Sequence, residues 1–150
     1  MITLYRLSAA KFPTNSGVGA ATFGGRWNRV GTPVIYASET ASLAALEVLV
    51  HYSVLPKDFV LTEIQLPAKM RILRCEEAAL PAGWRSEAII PETQNLGELW
   101  VQHGRAAVLS VPSSIIATER NFVINPNHPG FKRIRFQPSL PFHFDARLKS

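Results

Sequence analysis

Eleven prolines scattered along 150 residues constrain this chain more than any other feature. Each proline fixes its own φ, removes a backbone donor and is excluded from the interior of a helix or a central strand. The spacing therefore predicts many short elements and turns. ITLYR (2–6), PVIYAS (33–38), DFVLTEIQL (58–66), MRIL (70–73), AAVLSVPS (106–113), NFVINP (121–126), FKRIRF (131–136) and LPFHF (140–144) read as strands. ETASLAALEVLVHYS (39–53) reads as a helix of three to four turns, with Ser38 or Thr40 as its N-cap, and GELWVQHG (97–104) as a short helix closed by Gly104. Two helices among six to eight strands make an α+β pattern, strand-rich and mixed or antiparallel, not a regular βαβ winding. Between the first two strands, KFPTNSGVGAATFGGRWNRVG (11–31) has no sustained periodicity and is expected to be a long, functional loop.

Composition narrows the class. The length suits one domain spanning 1–150, and 47% hydrophobic with 18% charged residues suits a folded chain. A single cysteine, Cys75, excludes an intramolecular disulfide framework and a cysteine-based zinc cage, and points to a reducing, cytoplasmic setting. No apolar run approaches the roughly 18–20 residues that span a bilayer, so no membrane association is expected. MITLYRLSAAKF does not read as a secretory signal. The net charge of +5 suggests an anionic partner, but it is uneven: residues 1–120 carry 11 Lys/Arg against 10 Asp/Glu, whereas Lys132, Arg133, Arg135, Arg147 and Lys149 face Asp145 alone. That last segment is expected at the surface, as a solvated edge and tail or as a face for an acidic partner.

Chemistry-bearing residues stand out against this background. Glu47 projects from the same helical stripe as Leu43, Leu46 and Val50, with His51 four residues on. A carboxylate there is either an edge residue paired with His51 or an arginine, or a catalytic group facing a cleft. Arg26, beside Gly24 and Gly25, is suited to fork onto phosphate or carboxylate, or is a surface arginine next to a structural Trp27. Tyr36 is a core residue or an aromatic face for a flat ring. Ser113 follows Pro112 at a strand end, where its hydroxyl caps the chain or binds a ligand; no G-x-S-x-G elbow surrounds it. The glycine spacing fits neither a dinucleotide fingerprint nor a P-loop, and His51, His103, His128 and His143 lack metal-ligand spacing, so no metal site is expected. His128 in NPNHPGF reads as turn chemistry.

GGRWNRVGTPVIYASETASLAALEVLVH, PAGW, TQNLGELW, AAVLSVPSS and ERNFVINPNHPGF together resemble the RES domain family, named for its arginine, glutamate and serine. The resemblance runs from Tyr5-Arg6 to about Phe136 and matches Arg26, Glu47 and Ser113 to the naming residues. Tyr36 matches an aromatic position between the first two, and Tyr5-Arg6 a further arginine-bearing strand of the site. The resemblance implies an ADP-ribosyltransferase-like fold. It also implies a cytoplasmic toxin that degrades NAD by cleaving the nicotinamide–ribose bond, as a glycohydrolase or phosphorylase. NAD would be the substrate, with no cofactor. The partner would be an antitoxin with an Xre-type helix-turn-helix domain in a hetero-oligomer, so that nucleic acid is met only through the antitoxin. In these terms Glu47 stabilises the oxocarbenium-like state, Arg6 and Arg26 hold the pyrophosphate, and Tyr36, with Tyr5 nearby, packs on the nicotinamide. Ser113 hydrogen-bonds the ribose or amide, with His51, Trp27 and Asn121 in support.

The chain departs from many arginine-directed transferases in one respect. Its site glutamate stands alone in ALEVLVH, while Glu76 and Glu77 are adjacent and elsewhere. Water or phosphate is therefore favoured as acceptor over a protein arginine. Three alternatives remain at this stage. The chain is a mono-ADP-ribosyltransferase acting on a protein or nucleotide, a non-enzymatic nucleic-acid-binding module suggested by charge alone, or a ribonuclease without a clear His/Lys/Glu acid–base set.

Overall fold

The computed structural model describes residues 1–149. Eight strands and three α-helices alternate along the chain: β1 Ile2–Ala9, α1 Val18–Phe23, β2 Ile35–Ser38, α2 Ala41–Leu49, β3 Phe59–Leu66, β4 Ile72–Arg74, α3 Pro91–His103, β5 Val108–Pro112, β6 Arg120–Ile124, β7 Arg135–Phe136 and β8 Leu140–Phe142. All strands join one sheet in the order β4-β5-β6-β2-β1-β3-β7, with β8 also on β3. Every pairing is antiparallel except β4 with β5, so the α+β class read from the sequence is the one observed.

Strand alternation divides the hydrophobic residues between two faces. Leu4, Ile35, Ala37, Ile64, Leu66 and Ile124 fill one core. On the other side, Leu7 packs with Ala44 of α2, and Leu109, Val111 and Val123 pack with Trp27, Trp84 and Trp100. Helices α2 and α3 cover this second face, and the polar residues described below are gathered beneath them.

Four elements differ from the sequence reading. The 11–31 loop contains α1, a six-residue helix that buries no side chain and so leaves no apolar period to read. Helix α2 has nine residues, capped as expected by the Thr40 side chain, which accepts from Leu43 N at 3.0 Å. It ends early because the chain turns away: His51 N and Tyr52 N donate to Val48 O and Leu49 O, each at 3.1 Å. Its buried residues are Leu43, Ala44 and Leu49, while Val50 is 57% exposed, which corrects the stripe drawn through Val50. Helix α3 is longer than GELWVQHG, beginning at Pro91 and ending on left-handed Gly104. Its buried residues are Thr93, Gly97 and Trp100, two of them too small or polar to register as an apolar stripe. Finally, FKRIRF is half a 3-10 turn (Pro129–Arg133), and only Arg135–Phe136 pairs as a strand. His128 caps that turn by accepting from Gly130 N at 2.9 Å, the turn role expected of it.

Lys132, Arg133, Arg135 and Arg147 are exposed, as expected of the basic segment. No helix of the described residues is long and apolar enough to cross a membrane.

Candidate active site

The site is assembled on the face covered by α2. Cross-strand register aligns Tyr5 of β1 with Ser38 of β2, and Ser38 with Asn121 of β6. Helix α2 follows β2 after two residues, so Glu47 is carried back over this row. Glu47 Oε2 accepts from Ser113 Oγ at 2.9 Å and from Asn121 Nδ2. Asn121 is held in turn by its Oδ1, which accepts from Ser38 Oγ at 2.7 Å. Glu47 Oε1 accepts no hydrogen bond from a described residue. One carboxylate oxygen is thus anchored and the other is left open.

Ser113 is fully buried just beyond β5. Its hydroxyl donates to Glu47 and accepts from Ile115 N and Ile116 N at 3.0 and 3.1 Å. One donor and two lone pairs are the whole capacity of a hydroxyl. In this arrangement Ser113 orients Glu47 and closes the turn after β5.

Arg26 lies in the hairpin-like turn Gly25–Asn28. Its Nη1 and Nη2 donate to Trp84 O at 2.5 Å and Ser86 O at 2.9 Å. Burial lowers its guanidinium pKa, against the opposing pull of the Glu47 carboxylate and then of Tyr36. Residues 84–86 connect the two sides of the site, because Arg85 Nη1 donates to Ser113 O at 2.7 Å while Arg85 pairs with Glu77 at 2.9 Å. The Arg85 guanidinium also stacks on Trp84, 4.7 Å from its ring centroid.

Tyr36 is tied into the Arg26 turn. Its hydroxyl donates to Asn28 Oδ1 at 2.6 Å and accepts from Trp27 N at 3.1 Å. Burial raises the pKa of this phenol above its ordinary value. Gly25 is required here: a Cβ on it would meet the Tyr36 hydroxyl at 2.7 Å and Asn28 Oδ1 at 2.9 Å. Trp27 is buried against Trp84, their ring centroids 6.1 Å apart.

Two sequence-predicted residues stand apart. His51 is exposed beyond the end of α2 and makes no hydrogen bond to Glu47; the carboxylate's partners are Ser113 and Asn121 instead. Arg6 alternates with Tyr5 along β1 and leaves the sheet on the side of Leu4. Burial pulls its pKa down to about 10. Its Nη1 donates to Tyr36 O at 3.0 Å, and its Nε, with Ser8 Oγ, has no partner among the described residues. Tyr5 is on the Glu47 side, packed with the Leu7 and Ala44 cluster.

Several contributors are not singled out by sequence reasoning: Ser38, Asn28, Arg85, Gln94 and Glu98. TQNLGELW marks the last two as part of a conspicuous block without saying what they touch.

Comparison with known proteins gives the family and the fold. Residues 3–145 match the RES domain. The chain is 37% identical over 152 residues to Toxin Res of Yersinia enterocolitica (serotype O:8 / biotype 1B), covering 97% of this chain and 99% of that one. It is 39% identical over 139 residues to Prs ADP-ribosylating toxin of Sphingobium sp. (strain YBL2), covering 89% and 85%. A chain in the crystal structure of the M. tuberculosis MbcT-MbcA toxin-antitoxin complex superposes with a TM-score of 0.70 over 94% of this chain and 84% of that chain. At 21% identity that likeness concerns the fold.

Proposed function

The chain belongs to the RES domain family, and from that premise we propose that it is the toxin of a bacterial toxin–antitoxin pair and that it degrades NAD by cleaving the nicotinamide–ribose bond. The observation that carries this reading is Glu47: one oxygen is anchored by Ser113 and Asn121, and the other accepts no hydrogen bond from a described residue. Breaking the C–N bond sends its electron pair to the nicotinamide nitrogen and leaves positive charge on the ribose carbon. A pre-oriented carboxylate stabilises that charge without reorganisation. Water or phosphate then donates an oxygen lone pair to the same carbon, and the proton carried by the attacking oxygen is lost to solvent, giving ADP-ribose or its phosphate. Nicotinamide leaves neutral, so no strong general acid is required.

In this reading Arg26 holds the pyrophosphate, as a forked donor suits an oxyanion. Its two backbone acceptors, Trp84 O and Ser86 O, give way or help to cover the substrate. Arg6 acts on the site only through the backbone of Tyr36, whose carbonyl accepts from its Nη1. Tyr36 supports the Arg26 turn through its hydroxyl and presents its ring to the site. Serine and asparagine act through the carboxylate. The reading also implies the cytoplasm as the place of action and an antitoxin with a helix-turn-helix domain as partner, supported by the toxin–antitoxin complex with the similar fold.

The test is incubation of purified protein with NAD, with and without phosphate, followed by chromatography of the products. Loss of NAD with release of nicotinamide is expected, and Glu47→Gln is expected to slow it by about a hundredfold or more while the protein stays folded. Wild-type turnover by Glu47→Gln would remove Glu47 from the mechanism. A second reading is favoured by the relative from Sphingobium sp., an ADP-ribosylating toxin. It has the same bond broken and the ADP-ribosyl group passed to a protein. Label from adenine-labelled NAD retained on macromolecules would support transfer; label in free ADP-ribose or its phosphate would support degradation.

A further inference from the structure

Helix α3 carries no group that reaches Glu47, yet three of its residues converge on the turn that carries Arg26. Gln94 Nε2 donates to both carbonyls that flank Arg26 and Trp27, Gly25 O and Asn28 O, each at 3.1 Å. One turn along the helix, Glu98 Oε2 accepts from Arg29 N at 3.1 Å and Oε1 from the Thr32 hydroxyl at 2.7 Å. Gly97 stands between them, and a Cβ there would collide with the Trp27 carbonyl. The spacing 94, 97, 98 puts all three on one helical face.

We propose that Gln94, Gly97 and Glu98 of α3 are positioning residues that set the direction of the Arg26 guanidinium. The physical reason lies in the turn itself. Residues 25–32 make few backbone hydrogen bonds of their own: Gly25 with Asn28, and Thr32 N with Arg29 O. The buried Asn28 side chain holds the turn from within, its Nδ2 donating to Ala20 O, Arg29 O and Thr32 O at 2.9, 3.2 and 3.0 Å, and α3 adds the contacts that fix the carbonyls on either side of Arg26. Gln94 closes the two carbonyls, and Glu98 fixes the exit of the turn. Arg26 therefore leaves a backbone held by α3 as well as by Asn28 and Tyr36, and from it the guanidinium reaches Trp84 O and Ser86 O. Preorganisation of this kind matters because small misplacements of a substrate-holding group cost large factors in rate or affinity.

The proposal rests on the reading of Arg26 as a substrate-holding residue, and its test separates the two. Gln94→Leu, Arg26→Ala and the double variant are compared by KM and kcat for NAD loss and by thermal unfolding. Gln94→Leu is expected to raise KM by about tenfold with a smaller change in kcat. In the Arg26→Ala background it is expected to add less than about twofold, because the group it positions is gone. Glu98→Gln, which keeps one acceptor oxygen, is expected to retain more function than Glu98→Leu. In parallel, the Arg26 Nε–Hε resonance of the folded protein is expected to shift in Gln94→Leu without any substrate present. An unmoved resonance together with wild-type KM would overturn the proposal, as would an equal loss in both backgrounds, which marks a structural role. If the wild-type protein leaves NAD intact, the functional reading fails, and the resonance alone decides whether α3 positions Arg26.

Discussion

Glu47 illustrates how much a single residue reveals about its own importance. A carboxylate projecting among Leu43, Ala44 and Leu46 is an anomaly visible in nine residues of sequence. What it binds is not visible there, because its partners lie 66 and 74 residues away and are brought in by β5 and β6. The local candidate, His51, is excluded by where the helix ends. Ser113 gives a sharp prediction at this scale. Ser113→Ala removes the donor to Glu47 and leaves two backbone N–H groups, those of Ile115 and Ile116, without their acceptor. A loss of stability of about 1–3 kcal/mol is expected together with slower NAD loss, read by urea unfolding and by the product assay. Asn121→Leu should reduce activity with its Glu47 contact gone, yet leave that turn intact. Similar unfolding curves for the two variants would contradict the double role of Ser113.

At the scale of elements, short helices were legible where they were capped or apolar and hidden where they were neither. Residue type narrows the cap of α2 to Ser38 or Thr40, the structure shows Thr40, and Thr40→Ala is expected to cost about 1 kcal/mol by chemical denaturation. Helix α3 was recognised only in its last two turns, because its packing face is Thr93, Gly97 and Trp100. Gly97→Ala tests that face: the added methyl must push α3 from the Trp27 carbonyl, and a loss of about 1–3 kcal/mol in the unfolding midpoint is expected. The segment bearing Glu77 and Arg85 adds a pH dependence. Hydrogen bonding from Arg85 holds the exposed Glu77 carboxyl below its ordinary value of 4.5. A depressed folded value means that the ion pair contributes above the unfolded carboxylate pKa and is lost as pH falls through the folded one. Acidification below about pH 4.5 is thus expected to free Arg85 from Glu77 and alter Trp84 fluorescence, which Glu77→Gln should largely abolish.

For the whole molecule, the charge separates into two parts. Arg26 belongs to the site, whereas Lys132, Arg133 and Arg135 line a surface groove with Gln65 and Pro67 at the β7 end of the sheet. Replacing these three by glutamine is expected to leave NAD turnover within about twofold of wild type, while any salt-sensitive binding to polyanions declines. A large loss of turnover in that variant would connect the groove to the site.

The amino-acid sequence by itself determined the class of the fold, most of the strand-forming segments, the Gly104 helix end and the outlying carboxylate, all of which depend largely on interactions within a few residues. Only the tertiary structure decided that Ser113 and Asn121, not His51, hold Glu47, and that α3 holds the Arg26 turn. Those outcomes depend on strand register and on contacts between segments tens of residues apart. A one-residue change of register would send Asn121 to the opposite face and dissolve the site without altering a single local preference.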